Sequence, residues 1–277
     1  MKDLKIAFIG AGNMASSIIG GLIKNGVTTN HIMACARSEA TLTQVAQKFH
    51  ILTELDACHA VRWADVVILA VKPQQLKTLA QSLSTALEHQ PLIISVAAGI
   101  TSDSIERWLG ASQVAPRAIV RAMPNTPSLL QVGASGAFAN THCSAEQRQI
   151  ANDILTAVGI VEWVDSEHLL NPVTAVSGSG PAYFFLMMEA MIDAGVDMGL
   201  DRDSASKLTL QTALGAAKLA QSADVDVAEL RRRVTSPGGT TEQAINNFEQ
   251  AKIRDIFRRA MQAASDRGAE LAERLGC

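Results

Sequence analysis

The chain has 277 residues, 48% hydrophobic and 18% charged, with 24 lysines and arginines against 27 aspartates and glutamates and a formal net charge of −3. At about 150 residues per domain this length predicts two domains, each with its own core, and the near balance of charge excludes a disordered acidic tail and a polybasic nucleic-acid binder, leaving a small molecule as the expected partner. Four cysteines (Cys35, Cys58, Cys143, Cys277) without a Cys-x-x-Cys pair offer neither a disulfide framework nor a Cys-based zinc site, and fit a reducing, cytoplasmic compartment.

The apolar run Ile6-Ala-Phe-Ile9 is too short for a signal peptide and reads as a first strand, 5–9. Further strands are expected at 32–36, 65–71, 92–96 and 119–123, with weaker candidates at 135–139 and 160–163. Helices such as 14–25 and 75–87 lie between them. Val66-Val-Ile-Leu-Ala-Val71 is apolar at every position, as in a parallel strand buried on both faces. The alternation predicts an α/β fold: a Rossmann-type doubly wound sheet over 1–166 with helices on both faces.

Residues 167–277 lack such β-branched runs and read as an all-helical domain for substrate binding and dimerisation. Its first part, 169–188, is twenty residues without a charge, the length of a membrane span. Asn171, Pro172, Thr174 and Ser177-Gly-Ser-Gly-Pro181 interrupt it and no basic cluster flanks it, so no span is expected. Ala205, Leu208, Thr212, Gly215, Ala216 and Leu219 form a small-residue stripe at three- and four-residue steps. The stripe reads first as core, with pairing to a second copy as the alternative.

Three stretches carry chemistry. Gly10, Ala11, Gly12, Asn13, Met14 and Ala15 follow a strand and open a helix, the context that the G-x-G-x-x-G/A dinucleotide fingerprint requires. Gly10 makes the turn, Gly12 admits the backbone to a pyrophosphate, and the helix start offers free N–H groups to the anion. An NAD site would place a carboxylate at the end of the second strand, yet no acidic residue occurs from Leu4 through Ser38 and that strand ends in Arg37-Ser38. A guanidinium beside a hydroxyl suits a ribose 2′-phosphate, so NADPH is favoured and NADH remains possible; the competing reading of Arg37 is an ordinary solvated arginine.

The six histidines are scattered without an H-E-x-x-H motif, so no metal site is expected. Ser177-Gly-Ser-Gly180 is not the G-x-S-x-G of a hydrolase elbow. No lysine lies between Lys77 and Lys207 to shuttle the proton of an alcohol, which favours an imine, whose protonated nitrogen already makes the carbon electrophilic.

The third stretch, Val234-Thr-Ser-Pro-Gly-Gly-Thr-Thr241, reads as a helix start, with Ser236 and Pro237 as N-cap and first-turn proline and Thr240 with Gln243 as a capping box. Capping leaves Gly238 and Gly239 unexplained. A ligand carboxylate on the helix N–H groups accounts for both.

These stretches, with Ala70-Val-Lys-Pro73, Val96-Ala-Ala-Gly99, Arg121-Ala-Met-Pro-Asn-Thr-Pro127 and Ser177-Gly-Ser-Gly-Pro-Ala-Tyr183, resemble the pyrroline-5-carboxylate reductase family along nearly the whole chain. The resemblance implies NAD(P)H-dependent reduction of the imine 1-pyrroline-5-carboxylate to L-proline by a homodimer or larger homo-oligomer. It implies that Ile9 through Met14 and Arg37-Ser38 hold the adenosine and phosphates, that Val71, Lys72 and Ala98 line the dinucleotide, and that Asn125 lies near the nicotinamide. Lys72 reads equally as a phosphate contact or a strand-end charge. Ser236, Gly239, Thr240 and Thr241 would bind the substrate, with the Thr241 hydroxyl on the ring nitrogen. Two departures are Asp56-Ala57, where many members carry Asn, and Val225-Asp-Val-Ala228 in place of a His-Pro-Gly segment. Other readings are a different NADP-dependent imine or carbonyl reductase and a catalytically idle NADPH-binding scaffold.

Overall fold

In the computed structural model, which describes residues 3–110 and 116–276, the apolar runs become an eight-stranded sheet. Its strands are β1 (Ile6–Ile9), β2 (Ile32–Cys35), β3 (Leu52–Glu54), β4 (Val66–Leu69), β5 (Leu92–Ser95), β6 (Ile119–Met123), β7 (Gly133–Ala139) and β8 (Gly159–Trp163). They lie in the order β3-β2-β1-β4-β5-β6-β7-β8. Pairing is parallel from β3 across to β6 and again between β7 and β8. The β6–β7 pair is antiparallel, so the doubly wound sheet is mixed rather than purely parallel. The short connection Thr126–Leu130 lets β7 return directly, whereas a parallel partner needs a crossover helix.

β1, β2, β4 and β5 are buried at every position. Alternate residues serve opposite faces: Ala7, Ile9, Val67, Leu69 and Ile93 pack on one side, and Ile6, Phe8, Val66, Ile68 and Ile94 on the other. Each buried isoleucine, leucine or phenylalanine contributes about 1.5–3 kcal/mol relative to exposure. β3, absent from the expectation, has three residues and leaves Leu52 and Thr53 exposed, too short and too polar to stand out.

Six helices flank the strands: α1 (Asn13–Lys24), α2 (Glu39–Phe49), α3 (Ala57–Trp63), α4 (Pro73–Leu83), α5 (Ser102–Trp108) and α6 (Ala145–Thr156). After β8 come a turn at Glu167–Leu169, α7 (Leu170–Val173) and a π-helical turn at Thr174–Gly178. The remainder is helical: α8 (Gly180–Asp197), α9 (Arg202–Ser222), α10 (Val227–Arg233), α11 (Thr240–Gln250) and α12 (Ile253–Gly276).

The chain divides into two compact units, residues through Ser179 together with those from Ala263 onward, and Gly180–Gln262. The change from β-rich to helical sequence at 166/167 precedes this division because hydrogen bonds tie residues 167–177 to the sheet: Glu167 accepts from Ser102 and Arg121, and the Ser177 carbonyl accepts from Asn125. The last part of α12 also belongs to the first unit. Leu275 packs on the sheet core, and the Gly276 carbonyl accepts from Ser104 Oγ and Arg107 Nη2.

In the second unit α8 and α9 pack as a hairpin whose close approach depends on Gly195, where a Cβ would lie 3.3 Å from that of Ala205. The reading of the small-residue stripe as core is corrected: Ala205 is buried, but Leu208, Thr212, Gly215, Ala216 and Leu219 are exposed in the single chain. Phe184, Phe185, Leu186 and Leu214 are also at least half exposed or close to it. An apolar face of this kind marks a surface meant to be covered. Among the described residues no helix is long and apolar enough to cross a membrane.

Candidate active site

The glycine loop sits at the C-terminal end of β1. Gly10 has φ +107°, and a Cβ there would lie 2.6 Å from the Ala70 carbonyl oxygen, so only glycine lets β1 end beside β4. Its N–H donates to the Cys35 carbonyl at 2.8 Å. Gly12 caps α1 without any side-chain hydrogen bond, nothing lies within 4 Å of its would-be Cβ, and the first turn of α1 holds no acid. These are the requirements for N–H groups that receive an anion.

A cavity of about 590 Å³ opens in front of this turn, lined by seven of the expected residues: Ile9, Gly10, Ala11, Gly12, Arg37, Val71 and Lys72. Among the described residues neither the Arg37 nor the Lys72 side chain has a hydrogen-bond or ion-pair partner, so two cations line the cavity with their charge uncompensated. Leu55, Gln75, Thr78 and Ser82 also line it and were not anticipated, and Ala57, from one of the two departures from the family pattern, lines it too. The helical spacing of Gln75, Thr78 and Ser82 is visible in the sequence, but polar residues on a helix ordinarily face solvent. Asp56 caps α3, its Oδ1 accepting from Cys58 N–H at 2.8 Å.

Five expected cofactor residues, Asn13, Met14, Ser38, Ala98 and Asn125, stand outside this lining. Ser38 is the N-cap of α2, its Oγ accepting from Thr41 N–H at 3.5 Å. Asn13 begins α1, where its carbonyl accepts from Ser17 Oγ at 2.8 Å, and Met14 packs against the sheet core. Asn125 is likewise occupied: Oδ1 accepts from Ala134 N–H at 2.9 Å and Nδ2 donates to the Ser177 carbonyl at 3.0 Å. Its amide therefore holds the segment in place.

Ala98 lines a second cavity, of about 220 Å³, beyond the ends of β5 and β6 together with Ala97, Gly99, Arg121 and Asn171. The Arg121 and Glu167 side chains, 11% and 20% exposed, pair at 2.9 Å. Burial pulls the Arg121 guanidinium below its ordinary pKa, and Glu167 opposes that shift. No local pattern reveals this pair, since its members are 46 residues apart.

In the second unit, the expected N-cap at Ser236 and the Thr240–Gln243 capping box are both corrected. Gly238 takes φ +72°, the N-cap is Gly239, and α11 begins at Thr240 without a side-chain cap. The reason is Glu242, whose Oε2 accepts from Gly238 N–H at 2.8 Å and draws the chain into a turn before the helix. Among the described residues the hydroxyls of Ser236, Thr240 and Thr241 have no hydrogen-bond partner, and all three residues are exposed. Arg232 and Arg233 pair with Glu229, and Arg231 with Glu249, so the arginine run is engaged within its own unit.

Fold, glycine turn and cation-lined cavity together define a nucleotide-binding oxidoreductase of the α/β class. Residues 5–99 match the family model described as NADP oxidoreductase, coenzyme F420-dependent, and residues 167–271 match that of pyrroline-5-carboxylate reductase dimerisation. A pyrroline-5-carboxylate reductase of Pseudomonas aeruginosa is 53% identical over 276 residues, with 100% of both chains covered. A solved pyrroline-5-carboxylate reductase from Coxiella burnetii is 46% identical with a TM-score of 0.92, covering 97% of this chain and 98% of its own. That of Plasmodium falciparum, with NADP bound, is 27% identical with a TM-score of 0.85, covering 98% of this chain and 99% of its own. The chain belongs to the pyrroline-5-carboxylate reductase family.

Proposed function

We propose that the protein reduces 1-pyrroline-5-carboxylate to L-proline with NADPH, the last step of proline biosynthesis, as a cytoplasmic homodimer or larger homo-oligomer. The observation that carries the cofactor reading is the pair of uncompensated cations, Arg37 and Lys72, lining one cavity with the open backbone of Gly10 and Gly12. The donor set fits a dinucleotide: N–H groups at the α1 start for the pyrophosphate, Lys72 beside it, and the Arg37 guanidinium for a 2′-phosphate. Ile9, Ala11, Val71 and Ala98 would line its path, while Asn13, Met14, Ser38 and Asn125 support the backbone that does so. When bound, NADPH supplies the hydride that adds to the imine carbon.

Residues 167–277 form the substrate-binding and dimerisation domain in this reading. The α11 start receives the substrate carboxylate, with Ser236, Gly239 and Thr240 around it. The Thr241 hydroxyl hydrogen-bonds the ring nitrogen, orients the imine and assists its protonation. The exposed apolar face of α8 and α9 pairs with a second copy.

The test follows NADPH absorbance with purified protein and pyrroline-5-carboxylate, with NADH alongside. The expected result is proline formation with NADPH preferred. A folded, NADPH-binding oligomer that oxidises no cofactor would overturn the substrate assignment, and a preference for NADH would overturn the role given to Arg37.

A further inference from the structure

Residues 167–179 form one wall of the 220 Å³ cavity and are held at both ends by largely buried polar contacts. At one end Glu167 uses both carboxylate oxygens. Oε1 accepts from Ser102 N–H at 2.6 Å and from Arg121 Nη1 at 2.9 Å, and Oε2 accepts from Ser102 Oγ at 2.8 Å. At the other end the Ser177 carbonyl accepts from Asn125 Nδ2 at 3.0 Å. Between these clamps Leu170, Asn171 and Thr174 line the cavity.

Ala97, Ala98 and Gly99 also line the cavity, as do Arg267, Gly268 and Leu271 of α12, and Gly99 runs through the buried Ile100 directly into Thr101 and Ser102. One carboxylate therefore joins β6 through Arg121, the Ala97–Gly99 turn through Ser102, and the 167–179 wall through its own backbone. Capping of α5 does not need it, because Thr101 Oγ1 already accepts from Ser104 N–H at 3.2 Å. The Arg121–Glu167 pair is also too buried to be the loosely coupled kind found on surfaces, so removing one charge leaves the other uncompensated.

Sheet order shows what this cavity faces. The cation-lined cavity lies at the ends of β1, β2 and β4, and ligands of open α/β sheets cross the carboxyl ends of the strands. A dinucleotide whose pyrophosphate rests on Gly12, with its adenosine half toward Arg37 on the β2 side, directs its other half toward β5 and β6. We propose that Glu167, acting through Arg121 and Ser102, is a positioning residue for that nicotinamide half, setting the gap between the Ala97–Gly99 turn and the wall at 170–174. This rests on the reductase reading above. Glu167 touches neither substrate nor cofactor in this scheme; its effect on rate comes through geometry.

Glu167→Gln keeps the size and one acceptor oxygen but removes the charge, and Ser102→Ala removes only the bond to Oε2. Five quantities are compared with the unmodified protein: affinity for 2′,5′-ADP, which probes the adenosine half alone; the fluorescence of bound NADPH, which reports the nicotinamide environment; kcat and KM with pyrroline-5-carboxylate; and Tm. Glu167→Gln is expected to bind 2′,5′-ADP normally, to alter the bound-NADPH emission, and to lose about tenfold or more in kcat with little change in KM, as for a misplaced reacting group. Ser102→Ala is expected to change the same quantities less. Unchanged emission and unchanged kcat per folded molecule in Glu167→Gln, whatever happens to Tm, would overturn the proposal by leaving a purely structural role. If the unmodified protein binds NADPH but does not reduce the imine, the reductase reading fails by itself, and the emission comparison still decides the role of Glu167.

Discussion

Arg37 and Lys72 face the same cavity with no partner in the described chain, and a guanidinium held that way gains most from a ligand that brings its own negative charge. Arg37→Ala is expected to weaken NADPH binding by about tenfold or more while leaving NADH nearly unaffected, since one charge-assisted bond is worth about 1.5–3 kcal/mol and only the 2′-phosphate makes it; titration with both cofactors measures this. Thr241→Ala is expected to lower kcat/KM for pyrroline-5-carboxylate with unchanged NADPH affinity, the signature of a lost substrate-side interaction. Cys35, which is buried, and Cys143, which is half-buried, give a third residue-scale expectation. Burial pushes the Cys35 and Cys143 thiols up to about 11 from an ordinary value of 9.0. Above the unfolded value the unfolded chain releases these protons while the folded chain keeps them, so their stabilisation is complete below pH 9 and is lost as pH rises toward 11. Urea midpoints measured across that range should fall, and should fall less steeply when both residues are replaced by alanine.

The elements show where sequence patterns are sufficient and where they are not. β1, β4 and β5 are legible because strands buried on both faces are apolar at every position. The Gly10 turn is legible because its backbone tolerates no side chain. Gly10→Ala would place a Cβ 2.6 Å from the Ala70 oxygen in a conformation L residues avoid, and it is expected to lower Tm and abolish NADPH binding, measured by thermal melts with and without cofactor. The start of α11 is different. Ser236-Pro237 and Thr240–Gln243 satisfy the local rules for a cap, yet Glu242 takes the Gly238 N–H and moves the helix start to Thr240. Two local solutions compete there, and a window of sequence ranks them equally.

Taken as a whole molecule, the chain concentrates its core in the sheet unit and leaves the α8–α9 unit with few buried side chains of its own. Leu208 and Leu219 are 60% and 54% exposed on a stripe that reads as core, which is the burial expected of a helical surface completed by another copy. Replacing both with glutamate is expected to shift the protein from dimer or larger assembly to monomer in light scattering, and to abolish imine reduction while 2′,5′-ADP binding survives in the sheet unit. Retained assembly would place the interface on another face.

By itself the sequence determined the alternation of buried strands and helices, the glycine turn, the missing carboxylate after the second strand and the motif order shared with the family. Each is written in residues close together in the chain, where periodicity and backbone sterics act. Only the tertiary structure decided which polar side chains are committed and which remain free: Asn125 and Ser38 to holding backbone, Arg37 and Lys72 to an open cavity, Glu167 to Arg121 of β6 and Ser102 of α5. Those assignments depend on groups tens of residues apart meeting at hydrogen-bond distance, and no local pattern encodes that meeting.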